Sequence, residues 1–272
     1  MRIPVLRLVG AGLLAAATDA AGLGLMATAT WLLVTAAGQP PITALTVAIV
    51  TVRALAIGRG TLRYAERLAS HDAVLRIVTE VRARIFATLI DRPLARHADA
   101  LSRMVSDVEA VQDLVVRVAL PIAASGLVAV IAVIITASFA PLVGLTMLAG
   151  LLITGVVIPL LGVALTRRGA AQLAPLRAAY AISTIDVVHG AADLAAYGAT
   201  TRYEAVGVAQ AEQLSTVERS LARRAFALDA LSSTVTGLTA AAGLLVATRQ
   251  GVPAVWTAVL TVAALAAGEL SM

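Results

Sequence analysis

The chain has 272 residues, 60% of them apolar and 14% charged, against roughly 45–50% and about 25% in ordinary soluble domains; that balance belongs to a membrane protein. All 21 basic residues are arginine, so a phosphate-binding P-loop and a Schiff-base lysine are excluded. The lack of cysteine excludes disulfides, thiolate nucleophiles and Cys-ligated metals. A net charge of +5 accompanies only 3% aromatic residues, leaving little for bases to stack on. Nucleic acid is not an expected partner, and the charge is better explained by membrane topology.

Taken in order, the chain opens with an apolar stretch, residues 8–37, that begins like a signal peptide but runs far past the 7–15 residues of a signal h-region. It reads as a first membrane span, with Asp19 inside it, where a carboxylate needs a partner or a cavity. An Asp19–Arg53 pair between the first two spans would satisfy both charges. After the turn Gly38–Pro41, a second helix starts near Ile42 and meets no proline until Pro93. At 1.5 Å per residue that is up to about 75 Å, against a hydrocarbon core of ~30 Å, so a span over 42–62 continues into water. Gly58 and Gly60 are candidate bend points. Arg59, Arg63, Arg67 and His71 recur every four residues and are expected to stack along one face. Such a row suits an anionic or metal-containing ligand, or it is a solvated face paired with Glu66 or Asp72.

A polar hairpin over 63–113 leads to a third span, 114–137, carrying Arg117. A fourth follows over 142–165, with a kink expected at Pro159. A second cytoplasmic hairpin, 166–229, is expected to contain a short helix Ala191–Tyr197 capped by Gly198. Thr201 and Glu204 have the capping-box spacing for the start of the next helix. The fifth span, 230–248, is preceded by Arg219, Arg223 and Arg224. The sixth, 254–272, holds Glu269. Of the 21 arginines, 18 lie at the N-terminus or in the two long hairpins when Arg59, at the end of the second span, is counted with the first of them, and the opposite loops hold only Arg249. The positive-inside rule then puts the N-terminus and both hairpins in the cytoplasm. The expected fold is an all-α membrane protein of six spans with long cytoplasmic helical extensions, multi-pass in a bacterial cytoplasmic membrane.

Two segments carry a family resemblance. Leu101-Ser-Arg-Met-Val-Ser-Asp-Val-Glu-Ala-Val111 resembles the segment after the first coupling helix of exporter-fold (type IV) ABC transporters, although Asp99-Ala100 replaces the usual Gly-acid pair. Gly190-Ala-Ala-Asp-Leu-Ala-Ala-Tyr-Gly198 resembles their second coupling helix. More narrowly, Arg63-Tyr-Ala-Glu-Arg-Leu-Ala-Ser-His-Asp72, with Asp107-Val-Glu109, Leu114-Val-Val-Arg117 and Pro121, resembles the CydC-type subunits of the CydDC transporters of cytochrome bd assembly.

This resemblance implies the ABC type 1 transmembrane domain, a CydD-like partner in a heterodimer, and ATP-driven transport of haem or of thiol reductants such as cysteine and glutathione. It also implies a nucleotide-binding domain after the sixth span. The chain contains no Walker A, Walker B or signature motif, so it is expected to hold no catalytic residue and to use ATP and Mg through a domain outside it. Arg96, His97, Asp99, Gly190, Asp193 and Tyr197 fall at the implied coupling contacts. Arg59, Arg63 and Arg67 would bind cargo carboxylates, with Arg223 or Arg224 closing the site. His71 would be an axial ligand if the cargo is haem, or a polar residue packed between helices. Asp19, Arg53, Arg117 and Glu269 are charges at membrane depth. An ion-coupled carrier using Asp19, Arg53 and Glu269 is the runner-up, and it leaves the long hairpins unexplained. A truncated, non-transporting membrane subunit is the third reading.

Overall fold

A computed structural model describes residues 5–90, 114 and 118–270. Among them every regular element is helical: α1 (Val5–Ala37), α2 (Ile42–Ile90), α3 (Leu120–Phe139), α4 (Pro141–Leu152), a π-helical turn (Ile153–Val157), α5 (Ile158–His189), α6 (Ala191–Ala196), α7 (Thr200–Arg249) and α8 (Ala254–Leu270). Five helical stretches are long and apolar enough to cross a bilayer; the sixth apolar helix, α8, has 17 residues. That is about 25 Å, less than the ~30 Å hydrocarbon core. The long rods are present as expected. α2 has 49 residues and α7 has 50, each about 75 Å long. α2 runs unbroken through Gly58 and Gly60.

The described residues fall into two compact units, Met1–Leu151 with Thr236–Ser271, and Leu152–Val235. In the first, α1 packs along α2 and also against α3 and α8, and α3 meets α8. Its buried faces are made of small residues. On α3, Ala124, Val128, Ala132 and Thr136 recur every four residues. Ala263, Ala264 and Ala267 do the same work on α8, and Ala11, Ala16 and Ala21 on α1. Larger apolar side chains such as Leu33, Val47, Ile57, Ile134 and Phe139 point outward. This inversion is expected in lipid, where close backbone approach replaces hydrophobic exclusion as the force between helices. The approaches are close. A Cβ on Gly144 would lie 2.6 Å from the Ala137 backbone, and one on Gly268 would run into Thr236. Met147 fills the remaining space and accepts the Thr136 hydroxyl at 3.6 Å.

In the second unit the expected kink at Pro159 takes a specific form. Proline lacks an N–H, and its ring clashes with the carbonyl four residues earlier. The helix widens just before it. The Ile158 N–H donates to the Ile153 carbonyl, five residues back, and the π turn Ile153–Val157 replaces a break. Further along, α6 ends as the sequence suggested. Gly198 adopts φ +63°, with Ala199 N–H donating to Leu194 and Gly198 N–H to Ala195. That is the Schellman pattern. Gly251, φ +70°, ends α7 in the same way. The Thr201 capping box is not formed. α7 already starts at Thr200, and the Ala199 carbonyl receives the first N–H bonds, from Arg202 and Tyr203.

Candidate functional site

The α1–α2 hairpin positions most of the candidate residues. Its two helices are antiparallel and rise equally per residue, so positions equally far from the Gln39–Pro40 turn face each other. Arg7 and Asp72 obey this count and bond at 2.8 Å. Gly24 and Leu55 obey it too. Asp19 therefore falls opposite Gly60, between the levels of Arg59 and Arg63. The expected Asp19–Arg53 pair is two turns out of register; Arg53 is exposed instead. Arg59 lies across α1 at Gly22, its Nε 3.2 Å from where a Cβ would stand. A larger residue than glycine there would displace the guanidinium.

The row Arg59, Arg63, Arg67, His71 is not a single face. Residues four apart on a 3.6-residue helix precess by about 40°, so three steps turn the row by about 120°. Arg59 is half-buried at the α1 seam, while Arg63, Arg67 and His71 are exposed. Ser70, Ala73, Val74 and Val78 occupy the buried face at that level. Among the described residues neither Arg67 nor His71 forms a hydrogen bond or ion pair. Asp72, beside His71, is taken instead by Arg7 and by Arg76, one turn on, at 3.0 Å. These bonds, first that from Arg76 and then that from Arg7, hold the Asp72 carboxyl below the usual carboxylate range. No group of three or more metal-ligating side chains occurs among the described residues.

A cavity of about 480 Å³ lies between α1, α3 and α8, lined by Leu23, Ile131, Phe139, Trp256 and Leu260 among others. Phe139 and Trp256 stack at its rim, with ring centroids 5.9 Å apart. It is apolar, contains none of the arginines, and has nothing to hold a charged ligand. In the other unit, Arg224 donates to the Leu165 carbonyl and is engaged there, whereas Arg223 is exposed. Glu269 is exposed as well.

No protein-family model matches the chain. Three relatives do. Over 175 residues it is 30% identical to CydD of Bacillus subtilis, covering 62% of this chain and 30% of the relative. Over 158 residues it is 32% identical to CydC of Escherichia coli, covering 56% and 27%. Over 76 residues it is 40% identical to CydC of Haemophilus influenzae, covering 26% and 13%. Each relative is named as a glutathione/L-cysteine transport system ATP-binding/permease protein. The chain is thus similar to CydC and CydD subunits, and its long apolar helices are those of a membrane domain. Its matches fall on both kinds of subunit, and they span less than a third of each relative's length.

The second expected coupling segment is a compact tip. Gly190 ends α5, its N–H donating to the Asp186 carbonyl, and starts α6, its own carbonyl accepting from the Leu194 N–H; a Cβ there would lie 2.9 Å from the Asp186 carbonyl. Asp193 in the first turn of α6 is exposed, and Tyr197 is 85% exposed. An aromatic ring and a carboxylate held out on a Schellman-capped tip suit a protein contact. Behind the tip the hairpin is tied by Arg177–Glu218 at 2.8 Å and by a Ser183–Gln210 hydrogen bond. Arg96, His97, Asp99 and Arg117 lie outside the described residues.

Proposed function

We propose that this chain is the membrane-spanning half of a heterodimeric, ATP-driven transporter that carries a carboxylate-bearing thiol cargo such as glutathione or cysteine across the bacterial cytoplasmic membrane. The observation that carries this reading is Arg59 laid against α1 at Gly22 with the exposed Arg63 one turn on, in a chain similar to CydC and CydD. Two guanidiniums one turn apart bind carboxylates by charge-assisted hydrogen bonds. ATP is supplied by a nucleotide-binding domain that engages the α6 tip, and a CydD-like partner completes the transporter. Its product supports cytochrome bd assembly. Haem is the second cargo reading. It is favoured by His71, which is exposed one turn beyond Arg67 and unbonded among the described residues; the ring would serve as axial ligand.

The test is ATP-dependent movement of radiolabelled glutathione in membrane vesicles holding this chain with its partner and ATP-binding domains. Arg63→Gln and Arg59→Gln are each expected to reduce it about tenfold or more, the loss of one charge-assisted contact, with His71→Ala neutral. Transport that survives both arginine substitutions overturns the assignment. A haem absorption band lost in His71→Ala replaces the thiol reading with haem.

A further inference from the structure

Asp19 has no role in a site for a purely anionic cargo, and it would harm one. It is half-buried on α1, and the hairpin register sets it between the levels of Arg59 and Arg63, yet it forms no direct ion pair or hydrogen bond among the described residues. A carboxylate in that position repels an incoming anion and offsets part of the attraction of the arginines. As a structural clamp it is equally poor, because a clamp would be bonded, as Asp72 is to Arg7 and Arg76.

Across the hairpin Asp19 is level with Gly60, which is exposed, so α2 sets no side chain directly opposite it. Gly22, one turn further along α1, leaves space for the Arg59 guanidinium against the helix. At this level the hairpin therefore carries one carboxylate on α1 and, on α2, Arg59 against α1 with the exposed Arg63 one turn on. That charge pattern, one negative beside two positive, is complementary to a ligand carrying an ammonium as well as carboxylates.

We propose that Asp19 is a specificity-determining residue, receiving the ammonium of a zwitterionic, α-amino-acid-like ligand while Arg59 and Arg63 receive its carboxylates. The inference rests on the reading that these arginines hold the cargo. It adds that the same seam rejects anions without an ammonium. Blocking the amine then removes the attraction and leaves the repulsion.

The experiment measures equilibrium binding of L-cysteine and N-acetyl-L-cysteine, under reducing conditions, to the assembled transporter in lipid nanodiscs. The wild type is expected to prefer the free amine by about tenfold, the scale of one charge-assisted hydrogen bond. Asp19→Asn should bring the two ligands to within about twofold, and Asp19→Glu should restore the preference. A ratio is not moved by the fraction of protein that folds, so a merely structural role leaves it unchanged. An unchanged ratio in Asp19→Asn, or equal binding of both ligands by the wild type, overturns the role of Asp19 and leaves the arginine reading intact. If neither ligand binds the wild type, or if Arg63→Gln binds both as well as the wild type does, the arginine reading fails and the role of Asp19 fails with it.

Discussion

Arg7, Asp72 and Arg76 join α1 to α2 in the same way that Asp19, Arg59 and Arg63 share the seam further along, but the two clusters differ in exposure and so in worth. The Asp72 carboxylate is bonded on two sides and about half its side chain meets solvent. Exposed ion pairs contribute little and are screened by salt. Because the pKa of Asp72 is lowered in the folded chain, its contribution is complete above the ordinary carboxylate range. It is lost as pH falls through the depressed folded value. Asp72→Asn is therefore expected to lower the thermal midpoint slightly near neutral pH and low salt, and to have no effect at high salt or in acid. Differential scanning of the two proteins at both salt concentrations checks this. A large drop that persists at high salt would mean the cluster is sealed from water.

At the scale of the helices, the small-residue seams make a sharper demand. Gly144 starts the return of the α3–α4 hairpin, and its missing side chain lets the Ala137 backbone approach. Backbone cannot swing aside as a side chain can, so Gly144→Val should destabilise the first unit by about 1–3 kcal/mol, the usual cost of overpacking. Denaturant titration in detergent reads the change; a neutral result would mean that α3 and α4 stand further apart than described. Most of these elements were legible in the sequence. The apolar spans, the overlong second and fifth helices, the α6 tip and its glycine cap all follow from hydropathy, proline spacing and turn chemistry. What was not legible has three sources. The Asp19–Arg53 pairing failed because opposite charge does not set partners across a hairpin; register does, and counting outward from Gln39–Pro40 places Asp19 opposite Gly60. The single arginine face failed because a four-residue repeat does not match a 3.6-residue turn. The π turn before Pro159 is a third kind of case, since proline fixes that something must yield and leaves the form of yielding to the surrounding helix.

For the whole molecule, topology is the remaining question, and the composition supplies a clean way to ask it. The chain has no cysteine, so any introduced thiol is the only one it carries. If the arginine-rich hairpins are cytoplasmic, Gln39→Cys and Gln250→Cys should react with an impermeant maleimide in intact cells, whereas Tyr197→Cys should react only after permeabilisation. The reverse labelling pattern would turn the protein over in the membrane and remove the α6 tip from any ATP-driven partner.

The buried faces built from alanine, glycine, serine and threonine also bear on motion. Alanine methyls and glycine hydrogens have no alternative rotamers to exchange, so where rods meet through them fewer side chains must unlock before one slides along another. Lengthwise displacement is then resisted chiefly where larger side chains are buried, at Val143, Met147 and Leu260.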